Sequence, residues 1–174
     1  MRALADAERI RRFMRTLGAE AAEDGAVYFT GGATAVLLGW RTSTLDVDIL
    51  PVPEQESVLR SIPRLKDELR VNVELASPRD FVPVPEGWED RSIFQAREGQ
   101  LSFYHFDPYA QALAKLERGH SQDLEDVQAL VERGLVEPAR TLAYLDEIED
   151  ELYRYPALDP ESFRRRVEAA FLAR

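Results

Sequence analysis

Two carboxylates, Asp46 and Asp48, alternate with the aliphatic residues Leu45, Val47 and Ile49. In an extended chain, residues two apart point to the same side, about 6.5–7 Å apart along the strand. The two acids therefore share a face and can converge on a hard cation such as Mg²⁺, which takes oxygen ligands. Upstream, the β-favouring run Val27-Tyr28-Phe29 ends at Thr30-Gly31-Gly32, and Ala33 to Gly39 reads as a short helix. Backbone N–H groups at such a turn can cradle phosphate oxygens, with the helix dipole adding partial positive charge. The chemistry this pattern suits is that of a metal ion and a triphosphate. The alternative is a surface strand with a solvated acidic face, since two acids two apart also arise by chance.

The string GGATAVLLGWRTSTLDVDIL resembles the signature of the polymerase-β-type nucleotidyltransferase superfamily: a glycine pair, a helix, then Asp-x-Asp on the next strand. It is most similar to the bacterial AbiEii-like and MenT-like branch, which includes toxin components of toxin–antitoxin systems. Arg41 and Thr44, just before the carboxylates, add to the likeness. The resemblance implies that Asp46 and Asp48 bind Mg²⁺ or Mn²⁺ and that Thr30, Gly31, Gly32 and Thr44 hold the nucleotide. It also implies a third carboxylate from a neighbouring strand, for which Glu74 is the candidate; Glu74 facing water is the competing reading.

A second string, LAKLERGHSQDLEDVQAL, resembles a further motif of that branch, a lysine on one helix followed by an aspartate pair on the next. Lys115 matches the lysine, and Asp123 and Asp126 match the pair. The arginine usual before the first aspartate is replaced by Gln122. Nucleotidyl transfer is in-line attack of a hydroxyl on an α-phosphate, with a transition state stabilised mainly by cations. Lys115 would offer a point charge to the triphosphate, whereas an arginine would bind it as a planar fork. Asp123 and Asp126 would orient Lys115 or the attacking hydroxyl. Alternatively, Lys115 pairs with an acid on a helix surface, and Asp123 serves only the helix N-terminus through its dipole.

The elements that must position these groups follow from periodicity. Ala3, Ala7, Ile10, Met14 and Leu17 form a helical stripe, leaving Arg9, Arg12 and Arg15 elsewhere on that helix. Strands are expected at about 26–30 and 45–50, the second closed by Pro51 and Pro53. Residues 54–69 read as an amphipathic helix that Pro63 kinks or breaks. Arg70 to Leu75 alternates as a third strand, with Val71, Val73 and Leu75 on one face and Asn72 and Glu74 on the other. Pro78, Pro83, Pro85 and Gly87 mark a loop ending at Trp88, either a core anchor or a base-stacking residue. A hairpin follows over 92–96 and 101–106 with Glu98-Gly99 at its turn.

Asp107-Pro108 opens a helix that Gly119 stops, and Ser121 is the expected cap of the next. Two further helices fill 138–172, split at Tyr155-Pro156, the last opened by Asp159-Pro160. The acidic run 146–151 reads as a solvated face, and Arg164, Arg165 and Arg166 as a basic cluster open to an anionic partner. The fold expected is α+β: a small mixed, twisted sheet flanked by helices, with a core over 1–106 and a helical part over 107–174 completing the site in one compact unit.

Composition bounds the function. Forty-five per cent hydrophobic residues supports a packed core. Thirty-two acidic against 22 basic side chains gives a net charge of −10, which disfavours broad nucleic-acid binding driven by phosphate neutralisation. The absence of cysteine excludes disulfides and thiolate chemistry. No apolar window long enough for a membrane span and no secretory h-region are present, so a cytoplasmic protein is expected. His105 and His120 lack zinc-site spacing and read as structural or solvent-exposed. No Walker loop, dinucleotide fingerprint or Gly-x-Ser-x-Gly occurs.

The leading reading is thus a metal-dependent enzyme moving an NMP from an NTP to a hydroxyl acceptor, with Glu74 as general base. By resemblance the acceptor is a tRNA 3′ end and a cognate antitoxin exists; a protein or small-molecule acceptor stays open. The competing readings are a non-catalytic nucleotide-binding or regulatory module on the same fold and a plain α+β interaction protein.

Overall fold

The computed structural model describes residues 3–172, which divide into two units: 3–77 with 92–106, and 78–91 with 107–172. In the first unit the stretch 46–52 alternates strictly between buried and half-buried positions. β1 (Ala5–Asp6) leads directly into α1 (Ala7–Glu20), where Asp6 caps the helix by accepting from the Arg9 backbone N–H. Ile10, Phe13, Met14 and Leu17 form the buried stripe of α1. The helical stripe expected from Ala3 therefore begins later, because Asp6 is the cap and Ala5 pairs with Thr44.

β2 (Gly25–Thr30) runs into α2 (Gly32–Leu38); β3 (Ser43–Thr44) pairs with β1, and β4 (Asp46–Val52) follows. α3 (Glu56–Leu69), β5 (Asn72–Leu75), β6 (Ile93–Glu98) and β7 (Leu101–His105) complete the unit. The five-stranded sheet has the order β5-β4-β2-β7-β6. β2 is antiparallel to β4 and parallel to β7, β4 is parallel to β5, and β6 and β7 form the hairpin, so the sheet is mixed.

One sheet face carries Val27, Phe29, Val47, Ile49, Val73 and Phe103 into a core shared with α1 and α3. Phe29 and Phe103 stack at 5.6 Å; removing such a ring from a packed core costs about 3–5 kcal/mol.

Other expectations for this unit need correction. Leu45 and Leu75 do not join the buried face: they are 67% and 57% exposed. Leu45 precedes β4 and Leu75 ends β5. Pro51 does not close β4 but sits within it, opposite Val27. Pairing with β5 ends at Ile49–Leu75, so no ladder on that side needs an N–H from residue 51. Of the kink or break expected at Pro63, the break does not occur: α3 is one helix from Glu56 to Leu69.

Buried His105 ties β7 to α2. Its Nδ1 lies 3.0 Å from Thr34 Oγ1 and its Nε2 lies 2.8 Å from Gln95 Oε1. This settles its role as structural, while His120 is exposed. Burial lowers the His105 pKa to about 4. The unfolded chain takes up a proton near pH 6.5 that the folded chain refuses, so stability falls as pH drops between those values. The slope from this group is about 1.4 kcal/mol per pH unit at most. Urea unfolding between pH 7.5 and 5 should show that loss, and His105→Gln should flatten it; an equal slope in the variant would refute the assignment.

The second unit is helical. Its members are a 3-10 turn (Pro78–Asp80), α4 (Trp88–Arg91), α5 (Pro108–Arg118), α6 (Ser121–Glu132), α7 (Pro138–Ile148), a 3-10 stretch (Glu149–Arg154) and α8 (Pro160–Phe171). α5 is buried from Pro108 to Leu116 and contacts α6, α7 and α8. Asp107 caps α5 through the Tyr109 N–H at 2.9 Å and receives Arg91 Nε at 2.9 Å. Burial raises the Asp107 pKa, and Arg91 opposes that rise. Gly119 ends α5 at φ +69°, and His120, not Ser121, occupies the cap of α6. Asp159 caps α8 through the Ser162 N–H. Among the described residues no helix is long and apolar enough to cross a membrane.

Candidate active site

The polar face of the sheet is set by the same alternation that builds the core. Val47 and Ile49 point inward, so Asp46 and Asp48 must point outward together, and both are half-buried. Register adds neighbours on either side. Asp48 is opposite Thr30 of β2 and level with Glu74 of β5, and Asp46 is level with Asn72. Neighbouring strands lie about 4.8 Å apart, so Asp46, Asp48, Asn72 and Glu74 form a two-by-two block of polar side chains.

The glycine bend lies against this block. Gly31 adopts φ +63°, and a Cβ there would come 3.2 Å from Asp48 Oδ2. A side chain would thus be strained by the backbone and would crowd the carboxylate. At Gly32 a Cβ would meet Thr44 Oγ1 at 2.0 Å, so the chain passes residue 44 closely only because glycine is there. Thr44 is buried and its hydroxyl donates to the Asp46 carbonyl at 3.1 Å, which ties the approach to β4 against the bend. The Arg41 backbone N–H donates to the Ala35 carbonyl beyond the end of α2.

Asn72 was legible only as one more polar position, and the structure gives it a larger part. Its Nδ2 donates to Asp46 Oδ1 at 2.5 Å and to Glu74 Oε1 at 3.1 Å. The available signal was that Asn72 is the single asparagine of the chain and shares a strand face with Glu74. Glu74 itself is exposed.

The donor set suits Mg²⁺ in one specific way. Among the described residues, no group of three or more His, Cys, Asp or Glu side chains is disposed to hold a metal. A cage made wholly of protein ligands is therefore not what the block provides. Mg²⁺ is commonly held by one or two carboxylates, with waters and substrate phosphates completing the shell, and Asp46 with Asp48 fits that arrangement.

In the helical unit, the side chains of Lys115, Asp123 and Asp126 are brought together and buried. Lys115 Nζ donates to Asp126 Oδ2 at 2.7 Å and lies 3.6 Å from Asp123 Oδ1. Arg118 Nε approaches Asp123 Oδ2 at 3.3 Å without the alignment of a hydrogen bond. The positive charge of Lys115 is thus compensated within its own unit. Gln122 is exposed and bonds Glu125.

The remaining candidates are engaged elsewhere. Trp88 is buried beneath Arg79, whose guanidinium lies 4.8 Å over its ring, as expected of a core anchor. Arg164 is held by Asp146 and Glu149, and Arg166 donates to the Leu116 and Glu117 carbonyls. The basic cluster is therefore largely absorbed by the acidic run and the end of α5. Arg9 donates to the Leu4 carbonyl, Arg15 pairs with Glu8, and Arg12 is exposed, so that row reads as a solvated face.

A mixed twisted sheet with flanking helices, carrying a glycine bend beside a strand with paired aspartates, is consistent with a nucleotidyltransferase-like fold. The chain belongs to the family described as "Nucleotidyltransferase of unknown function (DUF6036)", which matches residues 7–155. No curated protein and no solved structure gives a match.

Proposed function

We propose that the chain is a metal-dependent nucleotidyltransferase that moves an NMP from an NTP to a hydroxyl acceptor, in the manner of the AbiEii-like and MenT-like branch it resembles. The observation that carries this reading is the placement of Asp46 and Asp48 on one face of β4 with the Gly31 bend against the Asp48 carboxylate. Asp46 and Asp48 would hold Mg²⁺ or Mn²⁺, which supplies positive charge to the α-phosphate and to the departing pyrophosphate. Backbone N–H groups at Gly31 and Gly32 would face the phosphate oxygens, with Thr30 beside them.

The acceptor O–H attacks the α-phosphorus, the bond to the β-phosphate oxygen breaks, and pyrophosphate leaves with that electron pair. Glu74, exposed and level with Asp48, would take the acceptor proton as general base. The finer form of this reading is a tRNA 3′-end acceptor and a toxin paired with a cognate antitoxin. Its support is the resemblance of the Gly-Gly and Asp-x-Asp stretch, and the charge of −10 weighs against extensive RNA contact.

The test is incubation of the full chain with Mg²⁺, α-labelled NTPs, and tRNA, protein or aminoglycoside acceptors. Label transfer to one class is expected, and an excess of chelator should abolish it. Tight NTP binding without transfer across all three classes would favour the non-catalytic module, and no metal-dependent NTP binding would end both readings.

A further inference from the structure

We infer that Asn72 is a positioning residue for the metal-binding carboxylates, one that sets the orientation of Asp46 and separates it electrically from Glu74. The inference rests on the nucleotidyl-transfer reading above and concerns how that site is held. Asp46 and Asn72 are level on the parallel strands β4 and β5, and Asp48 and Glu74 are level one step further on. Three of these four side chains are carboxylates on neighbouring positions, and like charges so placed repel. Asn72 is the fourth.

Both of its neighbours are acceptors only, so its NH₂ group must face them, one hydrogen to Asp46 Oδ1 and the other to Glu74 Oε1. The bond to Asp46 Oδ1 runs to a charged acceptor, which strengthens it relative to a neutral pair. It occupies one oxygen of Asp46 and so fixes the plane of the carboxylate, leaving Oδ2 to a cation. The bond to Glu74 does the same for the proposed base and keeps it on the Asp46 side of β5. An amide does not titrate, so the bridge holds the same charge at every working pH.

Alternatives at this position would each remove something specific. Alanine offers no donor, and Asp46 and Glu74 would lose their shared tether. Aspartate adds a fourth carboxylate with no donor, so the metal-free block would be repelled and would depend on a cation for stability. Partners that orient metal-binding carboxylates typically change metal affinity by about 10–100-fold when removed.

The experiment titrates Mn²⁺ by electron paramagnetic resonance into the wild-type chain and into Asn72→Ala and Asn72→Asp, each with a non-hydrolysable ATP analogue. Thermal melting is run with and without Mn²⁺. Asn72→Ala should bind Mn²⁺ about tenfold more weakly, and the Mg²⁺ concentration giving half-maximal transfer should rise in parallel. Asn72→Asp should melt lower than wild type without Mn²⁺ and regain most of the difference when Mn²⁺ is added. Wild-type Mn²⁺ affinity in Asn72→Ala together with an unchanged metal-free melt in Asn72→Asp would overturn the inference and leave the activity standing. A wild-type chain that takes up no Mn²⁺ with the analogue would instead overturn the enzymatic reading, and this inference with it.

Discussion

Asp48→Asn is expected to lower nucleotidyl transfer by on the order of 10²–10³-fold while leaving the fold intact. The substitution keeps the shape and volume of the side chain and removes one negative charge and one metal-binding oxygen. Asp48 is half-buried on the polar face of β4, so an amide there meets solvent and neighbouring polar groups and leaves the core on the opposite face untouched. Its carboxylate is also the one that the Gly31 bend approaches, which makes it the meeting point of metal and phosphate in the proposed site. The check is the rate of label transfer at saturating Mg²⁺ and NTP, with thermal melting alongside. A rate within twofold of wild type would mean that the aspartate pair is only a solvated strand face.

Much of this face was readable before any coordinates, because alternation is a local property. Val47 and Ile49 had to be buried if β4 lay on a core, and that alone turns Asp46 and Asp48 to the other side. The bend at Gly31-Gly32, the caps at Asp107 and Asp159, and the stop at Gly119 were legible for the same reason: each depends on the chemistry of one or two residues. Errors gathered where a neighbour decides. Pro51 looks like a strand terminator by itself, yet β5 ends before it and demands nothing from its missing N–H. Leu45 and Leu75 fit the apolar pattern but lie at strand limits, where they stay exposed.

The two-residue ladder of β1 and β3 is too short to carry any periodicity. Pairings such as β2 with β7 join residues more than seventy positions apart, which no local pattern encodes. The part played by Asn72 belongs to this second kind. Its polarity and its face were plain, but its bond to Asp46 exists only because β4 and β5 are parallel and in a register that sets 46 beside 72.

Lys115 presents the largest stability effect expected in the helical unit. Its ammonium lies among Asp126, fully buried, and Asp123, nearly so, with Arg118 reaching the latter from the exposed side. Such a cluster is tolerated because each charge compensates another; removing one partner strands the rest in a poorly solvated place. Lys115→Met keeps the length and apolar stem of the side chain and deletes only the charge. It should destabilise the chain by about 3–5 kcal/mol, a fall in melting temperature on the order of 10 °C for a chain of this size.

Combining it with Asp126→Leu should recover much of that loss, since an apolar pair of similar volume removes the stranded carboxylate. Urea unfolding of the two single variants and the double variant gives the coupling directly. If Lys115→Met cost less than about 1 kcal/mol, the range of an exposed ion pair, the cluster would have to be open to water, and the account of it as a buried, mutually compensating set would be refuted.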